Sequence, residues 1–214
     1  SALVLVLVLL PLLLLRRSGL KTGNAGRHLT FFCSVGLAFM FLEISTVQRL
    51  VLVLGHPTYS LTVVLFCFLF FAGLGSLWSG RVIENPVRGL RATVLCLAAL
   101  ILILTGVLGP VLGMFLHVSL AWRVGIAICL LAPLNFLMGM PFPLAIARLG
   151  RQEPELVPWA IGANGGASVI GSVLAVMIAM ESGFTAVSLA SLVIYLIGML
   201  AATTGGLGAQ AESG

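Results

Sequence analysis

Leu61-Thr62-Val63-Val64-Leu65-Phe66-Cys67-Phe68-Leu69-Phe70-Phe71-Ala72-Gly73-Leu74 contains no charged side chain. The nearest charges in the sequence are Arg49 before it and Arg81 after it. A helix needs about 20 apolar residues to cross a bilayer, and this stretch lies inside such a segment, roughly 58–79. The rest of the chain repeats the pattern. Hydrophobic residues make up 60% of the 214 and charged residues 8%, with mean hydropathy +1.21. Soluble domains carry about 25% charge, so this composition leaves too few charges to solvate a surface. The fold class it implies is all-α, a polytopic bundle of membrane-spanning helices.

Seven apolar segments follow, at roughly 2–15, 29–54, 58–79, 90–112, 118–147, 157–180 and 183–203. The first has 14 residues from Ala2 to Leu15 and is short for a span. It stands where a fragment or a processed chain would start. The second and fifth are long, which predicts tilting or a break.

The basic residues test this division. Arg16, Arg17, Lys21 and Arg27 fall between the first two segments, Arg81, Arg88 and Arg91 between the third and fourth, and Arg148 and Arg151 between the fifth and sixth. These alternate connections share one side of the membrane and hold nine of the eleven Lys and Arg residues. The positive-inside rule makes that side cytoplasmic. The expected topology is therefore N-terminus out and C-terminus in, with a helical domain over 1–203 and a disordered cytoplasmic tail over 204–214. Gly55-His56-Pro57, the region of Gly109-Pro110, and Glu181-Ser182-Gly183 suit the tight outer reversals.

The net charge of +5 is explained by this topology. The basic clusters lack interleaved aromatics, so nucleic acid is not an expected partner; the lipid bilayer is. Cys33, Cys67, Cys96 and Cys129 all lie in apolar segments without CxxC spacing and read as buried thiols. His28, His56 and His117 lie near expected interfaces and share no helix face, so neither metal nor cofactor is expected.

Glu43 is the most informative residue, near the middle of the second segment in Phe41-Leu42-Glu43-Ile44-Ser45-Thr46-Val47-Gln48-Arg49. A carboxylate at mid-bilayer costs at least about 2.5 kcal/mol unless paired or protonated. Arg49, six positions on, is about 240° around the helix and does not share its face. Partners are expected on other helices: Asn135, Asn164 and Ser168. Two readings stand, a proton, cation or polar-ligand site, and a structural hydrogen-bond anchor. Gln48 and Arg49 either join this intramembrane polar site or snorkel to the outer headgroups.

Two further segments carry motifs. Pro133-Leu134-Asn135-Phe136-Leu137-Met138-Gly139-Met140-Pro141-Phe142-Pro143 interrupts the helical hydrogen-bond ladder, which suits either a kink or a substrate-lining break. In the sixth segment Ala163, Ala167, Gly171, Ala175 and Ala179 recur every four residues, and Gly162 and Gly166 form a second pair. Such stripes let helices approach closely. No Lys-Ser or Lys-Thr follows these glycines, so a phosphate-binding loop is rejected. Ala72, Ser76 and Gly80 repeat the spacing in the third segment, and Trp78 and Trp159 suit interfacial anchors.

Three blocks together resemble the C-terminal membrane region of the bacterial spermidine synthase-like multi-pass proteins. They are Gly36-Leu37-Ala38-Phe39-Met40-Phe41-Leu42-Glu43-Ile44, continuing through Leu54-Gly55-His56-Pro57 to Gly73-Leu74-Gly75-Ser76; Met138-Gly139-Met140-Pro141-Phe142-Pro143; and Trp159-Ala160-Ile161-Gly162-Ala163-Asn164-Gly165-Gly166-Ala167-Ser168-Val169. The resemblance covers roughly residues 30–180 and implies a bacterial inner-membrane location. Larger family members join such helices to a soluble aminopropyltransferase- or methyltransferase-like domain. Here Asp is absent and no nucleotide-binding unit can be placed, so the resemblance implies a membrane module without an activity of its own. Three functions are expected from sequence: a scaffold, anchor or accessory subunit assembling with partner subunits; a small-solute or proton-coupled transporter domain around Glu43, Asn135 and Asn164; or the membrane half of an enzyme whose catalytic part lies elsewhere.

Overall fold

The computed structural model describes residues 25–82, 86–114 and 117–204. Among them all regular structure is helical: α1 (Ala25–Leu54), α2 (Pro57–Ser79), α3 (Pro86–Met114), α4 (Leu120–Met138), α5 (Pro141–Gln152) and α6 (Val157–Thr204), with short 3-10 turns at Gly80–Val82 and Pro154–Leu156. Five helical stretches are long and apolar enough to cross a membrane, α4 and α5 together forming one of them. These helices fit a multi-pass membrane protein.

Six of the seven expected segments fall on these five stretches, the last two on one of them. Segment 2–15 lies outside the described residues. The last two segments run on as α6, whose 48 residues would extend about 72 Å at 1.5 Å per residue, over twice the hydrocarbon thickness. Gly183, at φ 80° and ψ 167°, breaks it with a conformation open to little but glycine. The chain reverses there. Going up the first arm of α6, Ala163 meets Cys33, Gly171 meets Leu37 and Met40, and Ala175 packs near Phe41. Coming down the second arm, Ser188 meets Ser45, Val187 packs near Phe41, and Gly198 meets Ser34. Both arms therefore lie along α1, the first parallel and the second antiparallel.

Other reversals follow local chemistry. Gly55 takes φ 78° before Pro57, which starts α2 at the position where a missing N–H costs nothing. The outer reversal expected at Gly109-Pro110 is displaced. Pro110 sits inside α3, which continues to Met114, and the chain turns again at His117–Ser119. A proline is tolerated within a membrane helix when neighbours re-satisfy the freed backbone. The long fifth segment does break, between Met138 and Pro141. The helical domain expected to end at residue 203 extends to Thr204, and 205–214 lie outside the described residues.

The largest interface joins α1 to α6, and the next joins α2 to α4. The latter is set by two glycines. A Cβ on Gly75 would overlap the Phe136 carbonyl, and a Cβ on Gly139 would overlap the Ala72 carbonyl. The backbones touch because neither residue has a side chain. Phe31, Phe32, Leu50, Leu97, Ile101, Leu131 and Tyr195 fill the core, each at most 2% exposed. Trp159, expected at the headgroups, is 5% exposed and belongs to this core. Trp78 is exposed and stacks under the Arg81 guanidinium, 4.5 Å from its ring centre. Of the four cysteines only Cys67 is buried; the other three lie on the bundle surface, where a thiol faces lipid at little cost.

Candidate functional site

α1 carries the acid, and four other helices complete the chamber around it. Glu43 is half-buried and lines a cavity of about 520 Å³. Small-molecule pockets run to roughly 300–1,000 Å³, so this one is of ligand size. Val35, Gly36, Phe39 and Met40 form the α1 wall with Glu43. Phe68, Ala72, Gly73 and Ser76 come from α2, and Met138, Gly139, Phe142 and Pro143 from the break between α4 and α5. Asn164 and Ser168 close it from α6.

The two α6 residues are held by the close approach of α1. A Cβ on Gly36 would overlap the Asn164 carbonyl and would lie 2.8 Å from Ser168 Oγ. The Ser168 hydroxyl is shared between the carbonyls of Asn164, at 2.9 Å, and Gly36, at 3.2 Å. The Asn164 side-chain oxygen is buried and accepts no hydrogen bond. Glu43 has no salt-bridge or hydrogen-bond partner among the described residues. Buried polar groups normally find partners, so the partnerless Glu43 carboxyl on the cavity wall is available to a ligand.

The remaining candidate residues lie elsewhere. Asn135 is 0% exposed, and neither amide atom has a partner; it is not on the cavity wall. Gln48 is exposed. Arg49 donates to Thr185 Oγ1 at 3.0 Å and to the Thr105 carbonyl at 3.3 Å. It thereby ties α1 to α3 and to the second arm of α6. The small residues of α6 divide into two sets. Gly171, Ala175 and Ala179 pack against α1, whereas Gly162, Ala163, Gly166 and Ala167 line an apolar groove of about 570 Å³ beside α1, with Thr30, Cys33 and Leu37 opposite. Among the described residues no group of three or more His, Cys, Asp or Glu side chains gathers as a metal site.

Phe39, Phe68 and Phe142 were not singled out from sequence as site residues. Phenylalanine is ordinary in a membrane helix, and nothing in one chain says which rings share a chamber. Comparison with family models, with curated proteins and with solved structures finds no match.

Proposed function

We propose that this chain is a membrane-embedded solute-binding domain of the transporter type, with Glu43 as its recognition group. The observation that carries this reading is the half-buried Glu43 carboxyl, without a partner among the described residues, on the wall of a ligand-sized cavity shared with Asn164 and Ser168. Kinship with the membrane region of the spermidine synthase-like proteins belongs to the proposal. In support, all three sequence blocks that resemble that region contribute to the one cavity: Gly36, Glu43 and Gly73 from the first, Met138 and Gly139 from the second, Asn164 and Ser168 from the third. A seven-span topology with the C-terminus inside a bacterial inner membrane also belongs to it. Its support is the one-sided basic residues and the reversal at Gly183.

The test separates a binding group from a structural anchor. Dicyclohexylcarbodiimide dissolves in bilayers and modifies protonated carboxyls. It is expected to modify Glu43 in the lipid-reconstituted protein. Glu43→Leu is expected to melt at the wild-type temperature or above, because it removes an unpaired polar group from lipid depth. A structural anchor would instead lose about 1–3 kcal/mol on that substitution. Failure to modify Glu43, or a destabilised Glu43→Leu, overturns the proposal.

A second reading, assembly with a partner subunit, has its own observation. The groove between α1 and the first arm of α6 is apolar and floored by Gly162, Ala163, Gly166 and Ala167, which suits a further apolar helix. On this reading the chain anchors or scaffolds a complex, including one whose catalytic subunit is separate. Ala167→Leu fills the groove and is expected to lower the native mass of the complex extracted from membranes without lowering the melting temperature. An unchanged native mass would sink this reading.

A further inference from the structure

The wall of the Glu43 cavity has a composition more specific than its size. One carboxyl group stands among aromatic rings and thioethers. Phe39 and Phe68 meet edge to face, centroids 5.2 Å apart at 75°, and form a corner on the same wall as Glu43. Phe142, held edge to face by Phe32 at 5.5 Å, lies on the cavity's α5 side. Met40 and Met138 also contribute to the wall. No Lys, Arg or His lines the cavity among the described residues.

Each ligand class can be weighed against this wall. An anion meets Glu43 and no compensating cation. A bare divalent ion needs about six oxygen ligands, and this wall offers one carboxylate, one amide and two hydroxyls. A sugar or polyol would leave most of its hydroxyls against phenylalanine. A proton alone needs no chamber of about 520 Å³. An organic cation satisfies both halves. Its ammonium supplies the charge that Glu43 lacks and sits against aromatic faces, a contact worth about 2 kcal/mol when desolvated. Its apolar body covers the rest.

The chamber also shows where such a ligand comes from. Leu65 and Leu69 of α2 line it and are 37% and 78% exposed on the outer surface of the bundle. A Cβ built on Gly73, between them and Ser76 along the same wall, would meet nothing within 4 Å. Among the described residues the opening therefore lies beside α2, between exposed apolar side chains.

Resting on the cavity reading above, we propose that the ligand is a lipophilic amine: an organic monocation that enters laterally from the membrane, pairs its ammonium with Glu43, and lays its apolar body against Phe39, Phe68 and Phe142. The test uses the full chain in nanodiscs of zwitterionic lipid, so that no surface charge gathers cations. Calorimetric titration compares three probes of one shape: 4-phenylbutyltrimethylammonium, 4-phenylbutanol and 4-phenylbutyrate. The cation is expected to bind at least about tenfold tighter than the alcohol, the change a charged contact of about 1.5 kcal/mol gives. The carboxylate is expected not to bind. Glu43→Gln should abolish that preference and leave the alcohol unchanged. Phe39→Leu should weaken the cation more than the alcohol, and Gly73→Leu should weaken both equally by filling the mouth. Equal binding of cation and alcohol, or a Glu43→Gln variant that keeps its preference for the cation, overturns the amine assignment. If the alcohol alone binds and needs Glu43, the amine assignment fails while the cavity reading stands. If no probe binds and the carbodiimide leaves Glu43 untouched, both fail.

Discussion

Gly139→Ala is expected to abolish the close crossing of α2 and α4 and to be among the most destabilising single-methyl additions in this chain. The added carbon would occupy the place of the Ala72 carbonyl. That atom is backbone, so no rotamer change can clear it, and the two helices must separate along their length. Overpacking of a well-filled interior costs about 1–3 kcal/mol, and this site belongs at the upper end. Gly75→Ala strikes the same crossing from the other helix, against the Phe136 carbonyl. Because each variant already forces the separation, the double variant should cost less than the two single effects combined. The measurement is thermal unfolding in detergent followed by intrinsic fluorescence. Gly165→Ala is the control: its Cβ meets nothing within 4 Å, so it should be neutral or slightly stabilising, as alanine is a better helix former. If Gly139→Ala melts with wild type, the crossing is not as close as described here.

Asn135→Leu is expected to move stability in the opposite direction, upward by about 1–3 kcal/mol. Asn135 is 0% exposed, and neither its Oδ1 nor its Nδ2 has a partner. Burying an amide without hydrogen bonds costs roughly that much by mutational measures and more against hydrocarbon. Leucine has a similar volume and no polar atom, and its neighbours Leu131, Leu134 and Met138 are buried apolar side chains. A rise of several degrees in melting temperature is the readout. Leu134→Ala, a cavity-forming change one position away, should fall by about 2–5 kcal/mol and shows that the assay responds at this site. A lower melting temperature for Asn135→Leu would show that its amide is satisfied in the working protein.

The membrane character was legible because charge is scarce and apolar runs are long. Those two facts reappear as five helical stretches long and apolar enough to cross a membrane. Glu43, Asn164 and Ser168 were legible as a group because polar side chains inside apolar helices are costly and tend to converge. Asn135 obeyed the same logic in sequence yet lies off the cavity wall, since spacing along one helix does not fix which neighbour that helix will face. Arg49 has a side chain long enough to reach either the headgroups or the bundle interior, and its partners Thr105 and Thr185 lie far along the chain, the second just past the Gly183 reversal. Trp159 misled for a related reason: an indole at a helix start suits an interface or a core equally. The Gly75–Gly139 crossing was hidden because the glycines are visible in sequence but their backbone partners are not. The repeat of Ala72, Ser76 and Gly80 pointed to the right helix, but the contact runs through Gly75 and the Ala72 carbonyl instead.

The position of α1 between the two arms of α6 has a consequence for synthesis. Among the described helices α1 leaves the ribosome first, yet its partners arrive late: the Gly36 carbonyl waits for Ser168, and Ser45 for Ser188, 132 and 143 residues downstream. At about 5–20 residues per second, 132 residues take roughly 7–26 s. Through that interval the face of α1 that bears Gly36 and the opposite face that bears Ser34 and Ser45 lack their native α6 partners and must be sheltered by lipid, by the translocation machinery or by transient contacts with α2. Assembly of this bundle is therefore completed by its last hairpin, and a ribosome stalled before Gly183 would release a chain whose Ser34 and Ser45 face has never met the second arm of α6.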